Sequence, residues 1–229
     1  GSSALHLDGT SSQWLNVTKS DGTSLLTGLD EITISYDIQN ERTTTNWAFF
    51  AAPNTTTQEY QVEHYIGCMH SNGTLTTERY NNAGSRPASA SATVGNDWVH
   101  IDVVHSAEDT AIYVNGMESS RVASSYPLTD ILGNNSILQI GKANWAAGEY
   151  SQIAMDNLKI WGRALTAEEI LQQVPETFLQ QQMDEIEAGI TDMTLENGKN
   201  TLPDYNGTVT WTSSDLSAIS IAEDGLTAE

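Results

Sequence analysis

From residue 4 to about residue 163 the chain is a succession of short strand patterns separated by turn signals, and that succession restricts it to an antiparallel sandwich or barrel. Ile32, Ile34, Tyr36 and Ile38 alternate with Thr33, Ser35, Asp37 and Gln39, the two-residue period of a strand with one face buried and one in solvent. Trp47–Ala52, Glu59–Met69, Trp98–Val104, Thr110–Val114, Ser136–Gly141 and Ile153–Trp161 continue the series. Asn72-Gly73 and Asn115-Gly116 signal two-residue hairpins, because both residue types accept a positive φ. No βαβ alternation occurs, which excludes a parallel sheet. Ile32, Ile34, Ile101, Val103, Leu158 and Ile160 are the expected core.

The pattern changes at Leu165. Thr166 with Glu169 has capping-box spacing ahead of Ile170 and Leu171, so a short helix follows and stops near Pro175. Phe178, Leu179, Met183 and Ile186 then recur at helical spacing up to Gly189, a helix terminator. Strand patterns return at Thr208–Thr212 and Ala218–Ile221.

Charge excludes whole classes of partner. Nine basic against thirty acidic residues give a net charge of −21, which opposes binding to nucleic acid or an anionic membrane. No apolar run reaches the ~18–20 residues of a membrane-spanning helix. A hydrophobic fraction of 38% still supports a core. Cys68, the single cysteine, excludes a disulfide framework and reads as a small buried apolar residue.

Four motifs in order carry a resemblance to a known family: Leu5-His-Leu-Asp-Gly9 with Trp14-Leu-Asn-Val17; Ile32-Thr-Ile-Ser-Tyr36; Trp98-Val-His-Ile101 with Ile112-Tyr-Val-Asn-Gly116; and Ile153–Trp161 with Arg163–Ile170. Together they resemble laminin-G-like modules of the concanavalin A-like superfamily. The resemblance implies an all-β, two-sheet antiparallel jelly roll over residues 4–163, and the helical patterns that follow make residues 164–189 a helical connector. Leu202-Pro203, Gly207–Asp215 and Asp224-Gly225 resemble bacterial atypical immunoglobulin-like domains, so residues 190–229 are expected to be part of such a domain. Pairs of this kind accompany secreted bacterial glycoside hydrolases, arabinan- and xylan-acting ones among them. The resemblance therefore implies an extracellular or cell-surface location and further modules in the parent chain.

Catalytic motifs are missing. Retaining glycosidases need two carboxylates about 5–5.5 Å apart, and the Glu-x-Asp-x-x-Glu pattern of jelly-roll endoglucanases does not occur. Gln61-Val-Glu-His64 superficially matches part of a lyase site but lacks its companion Tyr and Arg motifs. No Gly-x-Ser-x-Gly, His-Glu-x-x-His or phosphate loop is present. His100 and Asp102 share a strand face and could form a zinc pair, or simply a polar outer face. The family resemblance implies a structural calcium at the matching positions Asp8 and Asp156, since Asp oxygens and turn carbonyls suit that ion.

Sugar binding needs aromatic faces beside planar hydrogen-bonding groups. Trp145, Arg79, Tyr80, Asn81, Trp47 and Tyr65 are the candidates, with Trp47 and Tyr65 equally readable as core. Trp14, Trp98, Trp161 and Trp211 sit in fold-defining motifs and are assigned to the core. The sequence thus reads as a non-catalytic carbohydrate-binding module for plant polysaccharide such as arabinan or xylan. A structural spacer, or an adhesin module with a protein ligand, is the alternative.

Overall fold

The computed structural model describes residues 3–55, 57–82, 88–145, 149–189, 195, 197–203, 210–214 and 217–228. The chain divides into two units, Gly1–Phe178 and Leu179–Glu229. The first contains two six-stranded antiparallel sheets. One joins, in spatial order, β1 (Leu5–Asp8), β12 (Gln152–Trp161), β3 (Ile32–Asn40), β8 (Val99–His105), β9 (Asp109–Val114) and β10 (Met117–Ala123). The other joins β2 (Leu15–Asn16), β11 (Ser136–Ile140), β4 (Asn46–Pro53), β5 (His64–Ser71), β6 (Thr74–Asn81) and β7 (Ala88–Thr93). Both Asn-Gly pairs are hairpin turns with positive φ at each residue, +52° and +78° at Asn72-Gly73 and +49° and +87° at Asn115-Gly116.

The core lies between the sheets. Ile32, Ile34, Ile101 and Val103 are buried in it, and Leu158 and Ile160 pack against it half-buried. Three expectations change. Gln58–Glu63 is a helical turn, α1, so the strand expected from Glu59 begins only at His64. Good helix formers without strict alternation fill that turn. The core tryptophan is Trp47, whereas Trp14, Trp98, Trp161 and Trp211 are only partly buried. Finally, β3 is buried on both faces, with Thr33, Ser35 and Asp37 almost without exposure.

The second burial has a structural cause. Residues 162–178 return across the outer face of the first sheet. Thr33 Oγ1 donates to the Arg163 carbonyl at 2.9 Å and accepts from the Leu165 amide at 3.0 Å. Leu165 and Ile170 pack with Val104, Ala111 and Tyr113. The helix α3 (Ala167–Leu171) begins with the expected capping box between Thr166 and Glu169. At Gly116, φ is +87° and a Cβ would lie 2.8 Å from Val174 Cγ2, so a side chain there would displace this covering segment. Residues 164–178, expected as a connector, therefore belong to the sandwich unit. A short helix, α2 (Leu128–Leu132), closes part of the core with Leu128, Ile131 and Leu132.

In the second unit the long helix α4 (Glu176–Gly189), which starts in the first, is followed by the pair β13 (Asn200–Thr201) and β14 (Thr227–Ala228). The Trp211 indole donates to the Pro203 carbonyl at 3.0 Å. Of the expected Thr208–Thr212 strand, residues 208–209 lie outside the described residues and 210–212 are not strand. Over Ala218–Ile221 only Ile221 forms a β-bridge, to Ala228. Among the described residues no helix is long and apolar enough to cross a membrane.

Candidate functional site

The outer face of the second sheet carries an aromatic cluster. Alternation sends Leu75, Thr77 and Arg79 of β6 toward the interior and Thr76, Glu78 and Tyr80 outward. On β5, Ile66 and Cys68 enter the core while Tyr65, Gly67 and Met69 face out. The register of β4 shifts between Trp47 and Phe49, so Ala48 and Phe49 both join the core and Trp47 and Phe50 turn to the outer face. Trp47, Phe50, Ala52, Tyr65 and Ala143 form the buried base, with Met69, Tyr80, Ile137 and Trp145 packed against it.

Trp145 is the centre of this cluster. Its ring stacks on Trp47 at 5.2 Å and an interplanar angle of 17°. Phe50 and Tyr65 meet it edge-on at 5.7 and 5.3 Å. Tyr80 extends the cluster, edge-on to Tyr65 at 5.9 Å. Such edge and offset arrangements match negative ring faces to positive edges, which fixes each ring in place. Gly67 makes room below: a Cβ there would lie 2.8 Å from Trp47 Cζ3.

The polar ends of these rings are tied down by carboxylates. The Trp47 indole donates to Glu149 Oε2 at 2.6 Å, and the Tyr65 hydroxyl donates to Glu78 Oε2 at 2.7 Å. Asn144 donates to Gln61 Oε1 at 2.8 Å, and Gln61 Nε2 donates to the Pro53 carbonyl at 3.0 Å, joining the Trp145 segment to α1. Trp47 is 3% exposed and Tyr65 0%, so both support the surface rather than form it. Trp145, Tyr80, Asn81, Glu78 and Thr76 are half-exposed, and Ser89 and Ser91 of the neighbouring β7 are exposed.

Arg79 requires a correction. It is 0% exposed and points between the sheets, where Nη1 donates to the carbonyls of Ser106 at 2.6 Å and Asp109 at 3.3 Å, and Nη2 donates to that of Tyr126. Adjacency to Tyr80 in sequence means opposite faces in a strand, so the guanidinium ties loops together and does not reach the aromatic surface. The structure thus gathers Trp145, Tyr80, Trp47 and Tyr65, leaves Asn81 at the end of β6, and removes Arg79. Glu78, Glu149 and Phe50 were missed by sequence reasoning, and Gln61, singled out there only for a superficial lyase-like match, ties Asn144 to α1 instead. Two-residue spacing from Tyr80 was the available signal for Glu78; nothing local marks Glu149.

The expected calcium pair is also corrected. Asp8 is opposite Gln152 in the β1–β12 register, which puts Asp156 four residues farther along, about 13 Å at strand rise. The two carboxylates do not share a site. Asp8 closes its own turn: Oδ1 accepts from the amides of Ser11 at 2.8 Å and Thr10 at 2.9 Å, and Oδ2 accepts from the Ser11 hydroxyl. The Ser11 amide first, then the other donors, hold its pKa down at about 2. Asp156 Oδ1 accepts from the Asn157 amide at 2.8 Å. Among the described residues no group of three His, Cys, Asp or Glu is placed to hold a metal ion.

His100 and Asp102 lie on the covered outer face of the first sheet, not on a solvated one. His100 is 1% exposed, with Nδ1 at 2.6 Å from Asp37 Oδ1 and Nε2 at 3.3 Å from both Asp102 Oδ2 and Ser35 Oγ. Asn157 donates to the other Asp37 oxygen at 2.6 Å, and the Phe178 ring lies 6.0 Å from the imidazole. Burial opposes the charged ring, but its hydrogen bonds to Asp102 and Asp37 outweigh that cost and push the pKa up to about 9. His105, five residues along the same strand, is buried and bonded to Thr110 Oγ1 at 2.9 Å. Burial, with Arg79 nearby, pushes its pKa down to about 3.

This sandwich matches the family model of the concanavalin A-like lectin/glucanases superfamily over residues 8–171. The chain belongs to that superfamily. Among curated protein sequences no match is found. Among solved structures, the chain is similar to the CBM40 module of Ruminococcus gnavus IT-sialidase, solved with α2,3-sialyllactose, at a TM-score of 0.62 and 10% identity over 76% of this chain and 97% of that one. The heptameric SAP-like pentraxin of Limulus polyphemus has a TM-score of 0.53 and 18% identity over 74% and 80%. The leech intramolecular trans-sialidase, solved with 2,7-anhydro-Neu5Ac, matches at 0.61 and 11% over 75% of this chain and 27% of that enzyme. Identities this low establish a shared fold.

Proposed function

We propose that the protein is a non-catalytic carbohydrate-binding module that holds a polysaccharide on the outer face of the second sheet. The observation that carries this reading is Trp145, half-exposed on a base of Trp47, Phe50 and Tyr65, with Tyr80 beside it. An indole braced in this way offers a rigid face to the C–H groups of a sugar ring, at little entropic cost on binding. Glu78, bonded to Tyr65, and Asn81, next to Tyr80, supply hydrogen-bonding groups beside the cluster. Carbohydrate-binding relatives of the same fold, the CBM40 module among them, support this reading. The polysaccharide is a plant chain such as arabinan or xylan, and the module works outside the cell or on its surface, within a larger bacterial glycoside hydrolase.

Affinity electrophoresis through gels containing arabinan or xylan tests it. Trp145→Ala should weaken retardation by ~1–3 kcal/mol, roughly 5- to 150-fold in Kd, as removal of a central aromatic anchor does. The far-ultraviolet circular dichroism should stay unchanged. Retardation equal to that of the unsubstituted protein moves the site elsewhere.

A further inference from the structure

Resting on the carbohydrate-binding reading, we infer that this surface takes uncharged glycans and rejects anionic ones, sialylated sugars and uronates included. The argument lies in what holds the rings. Glu149 anchors Trp47 and Glu78 anchors Tyr65, and both of those rings touch Trp145. Each carboxylate commits one oxygen to its ring, leaving the other to accept from a ligand. A third, Glu63, receives Asn82 Nδ2 at 3.1 Å, and the Tyr80 hydroxyl donates to the same Asn82. Ionised carboxylates accept hydrogen bonds and cannot donate them. Sugar hydroxyls are the matching donors, and such charge-assisted bonds are short and strong.

An anionic sugar meets the reverse situation. Recognition of a carboxylate calls for a bidentate arginine or a lysine, and the described arginines are engaged in other places. Arg79 is inside the sandwich. Arg42 donates to the Thr45 and Tyr150 carbonyls, Arg121 pairs with Asp109 and Glu118, and Arg163 pairs with Glu169. Lys142 lies over the rings of Trp14 and Tyr150, 4.5 and 5.6 Å from their centroids. Lys159 is on β12 of the other sheet. With a net charge of −21 in the background, an acidic glycan approaches like charge.

The test compares gels of debranched arabinan and linear xylan with a gel of polygalacturonate, together with calorimetric titration of 3′-sialyllactose, at low salt and neutral pH. Retardation should occur in a neutral gel, with polygalacturonate and sialyllactose at least tenfold weaker. The Glu78→Gln/Glu149→Gln double variant keeps an acceptor for each ring and should narrow that gap about fivefold. Polygalacturonate or sialyllactose bound as tightly as the neutral chains overturns the charge selection and leaves the carbohydrate-binding reading standing. If the protein shows no retardation in any gel and no heat with sialyllactose, the carbohydrate-binding reading falls and this inference falls with it.

Discussion

On the outer face of the first sheet stand Thr33, Ser35, Asp37, His100 and Asp102, polar residues that the rest of the chain nevertheless covers with residues 162–178. On the outer face of the second stand Trp47, Phe50 and Tyr65, a more apolar set that Trp145, Ala143 and Glu149 cover, while Trp145 and Tyr80 themselves stay half-exposed. Composition alone would assign these faces the opposite way. The polar face can be buried because most of its groups find partners: the Leu165 amide and the Arg163 carbonyl at Thr33, and Asp37, Asp102 and Ser35 around His100, with Asp102 Oδ1 left without a hydrogen bond. The aromatic face can stay partly open because its rings pack on one another, which leaves a small, rigid apolar surface suited to a ligand.

The largest expected effect separates the interior of the second sheet from its exterior. Arg79→Leu leaves the carbonyls of Ser106, Asp109 and Tyr126 without their donor, and should cost roughly 3–5 kcal/mol in urea unfolding. Glycan affinity of the folded fraction should not change. A variant of normal stability that no longer binds would put Arg79 back at the ligand surface.

Next in size is the pH dependence of stability, where the covered face and the interior pull in opposite directions. His100 holds its proton in the native state up to about pH 9, so its contribution is complete below the ordinary histidine value of 6.5 and falls as pH rises through 9. His105 stays neutral down to about pH 3, so below 6.5 the unfolded chain gains a proton that the native chain refuses, and stability falls toward pH 3. Each arm has a slope of about 1.4 kcal/mol per pH unit. Melting temperature should therefore peak near pH 6.5, and His100→Gln should flatten the alkaline arm alone. An alkaline arm unchanged in that variant would mean that the imidazole beneath Phe178 is uncharged.

The smallest effect probes the cover itself. Thr166→Ala removes the cap of α3 and should destabilise the protein by about 1 kcal/mol. Hydrogen exchange should rise in residues 167–171 and stay unchanged in the aromatic cluster of the other sheet. Faster exchange at Trp47 or Tyr65 would show that the two faces are coupled.

Hairpins, strand count, core alternation and the capping box were legible because each depends on residues close together in the chain. Asn72-Gly73 needs only its own backbone preference, and Thr166 only the amide three residues on. The aromatic candidates were legible as types: Trp145, Tyr80, Trp47 and Tyr65 do converge. Their division into supports and surface was not legible, because burial depends on strands that pair across long stretches of sequence. Asp8 and Asp156 failed for the same reason, as the offset between β1 and β12 is a property of the pairing and not of either segment.

Sequence alone therefore determined that this protein is an antiparallel β-sandwich, where its turns fall, and that its net charge opposes polyanionic partners. Local conformational preference and summed charge are enough for those conclusions. Tertiary structure decided that Arg79 is a buried tie, that His100 is enclosed between two carboxylates, and that Glu78 and Glu149 brace one aromatic surface. Those outcomes rest on pairing register and on which segment comes back to cover which face, and both are set only when distant residues compete for the same buried space.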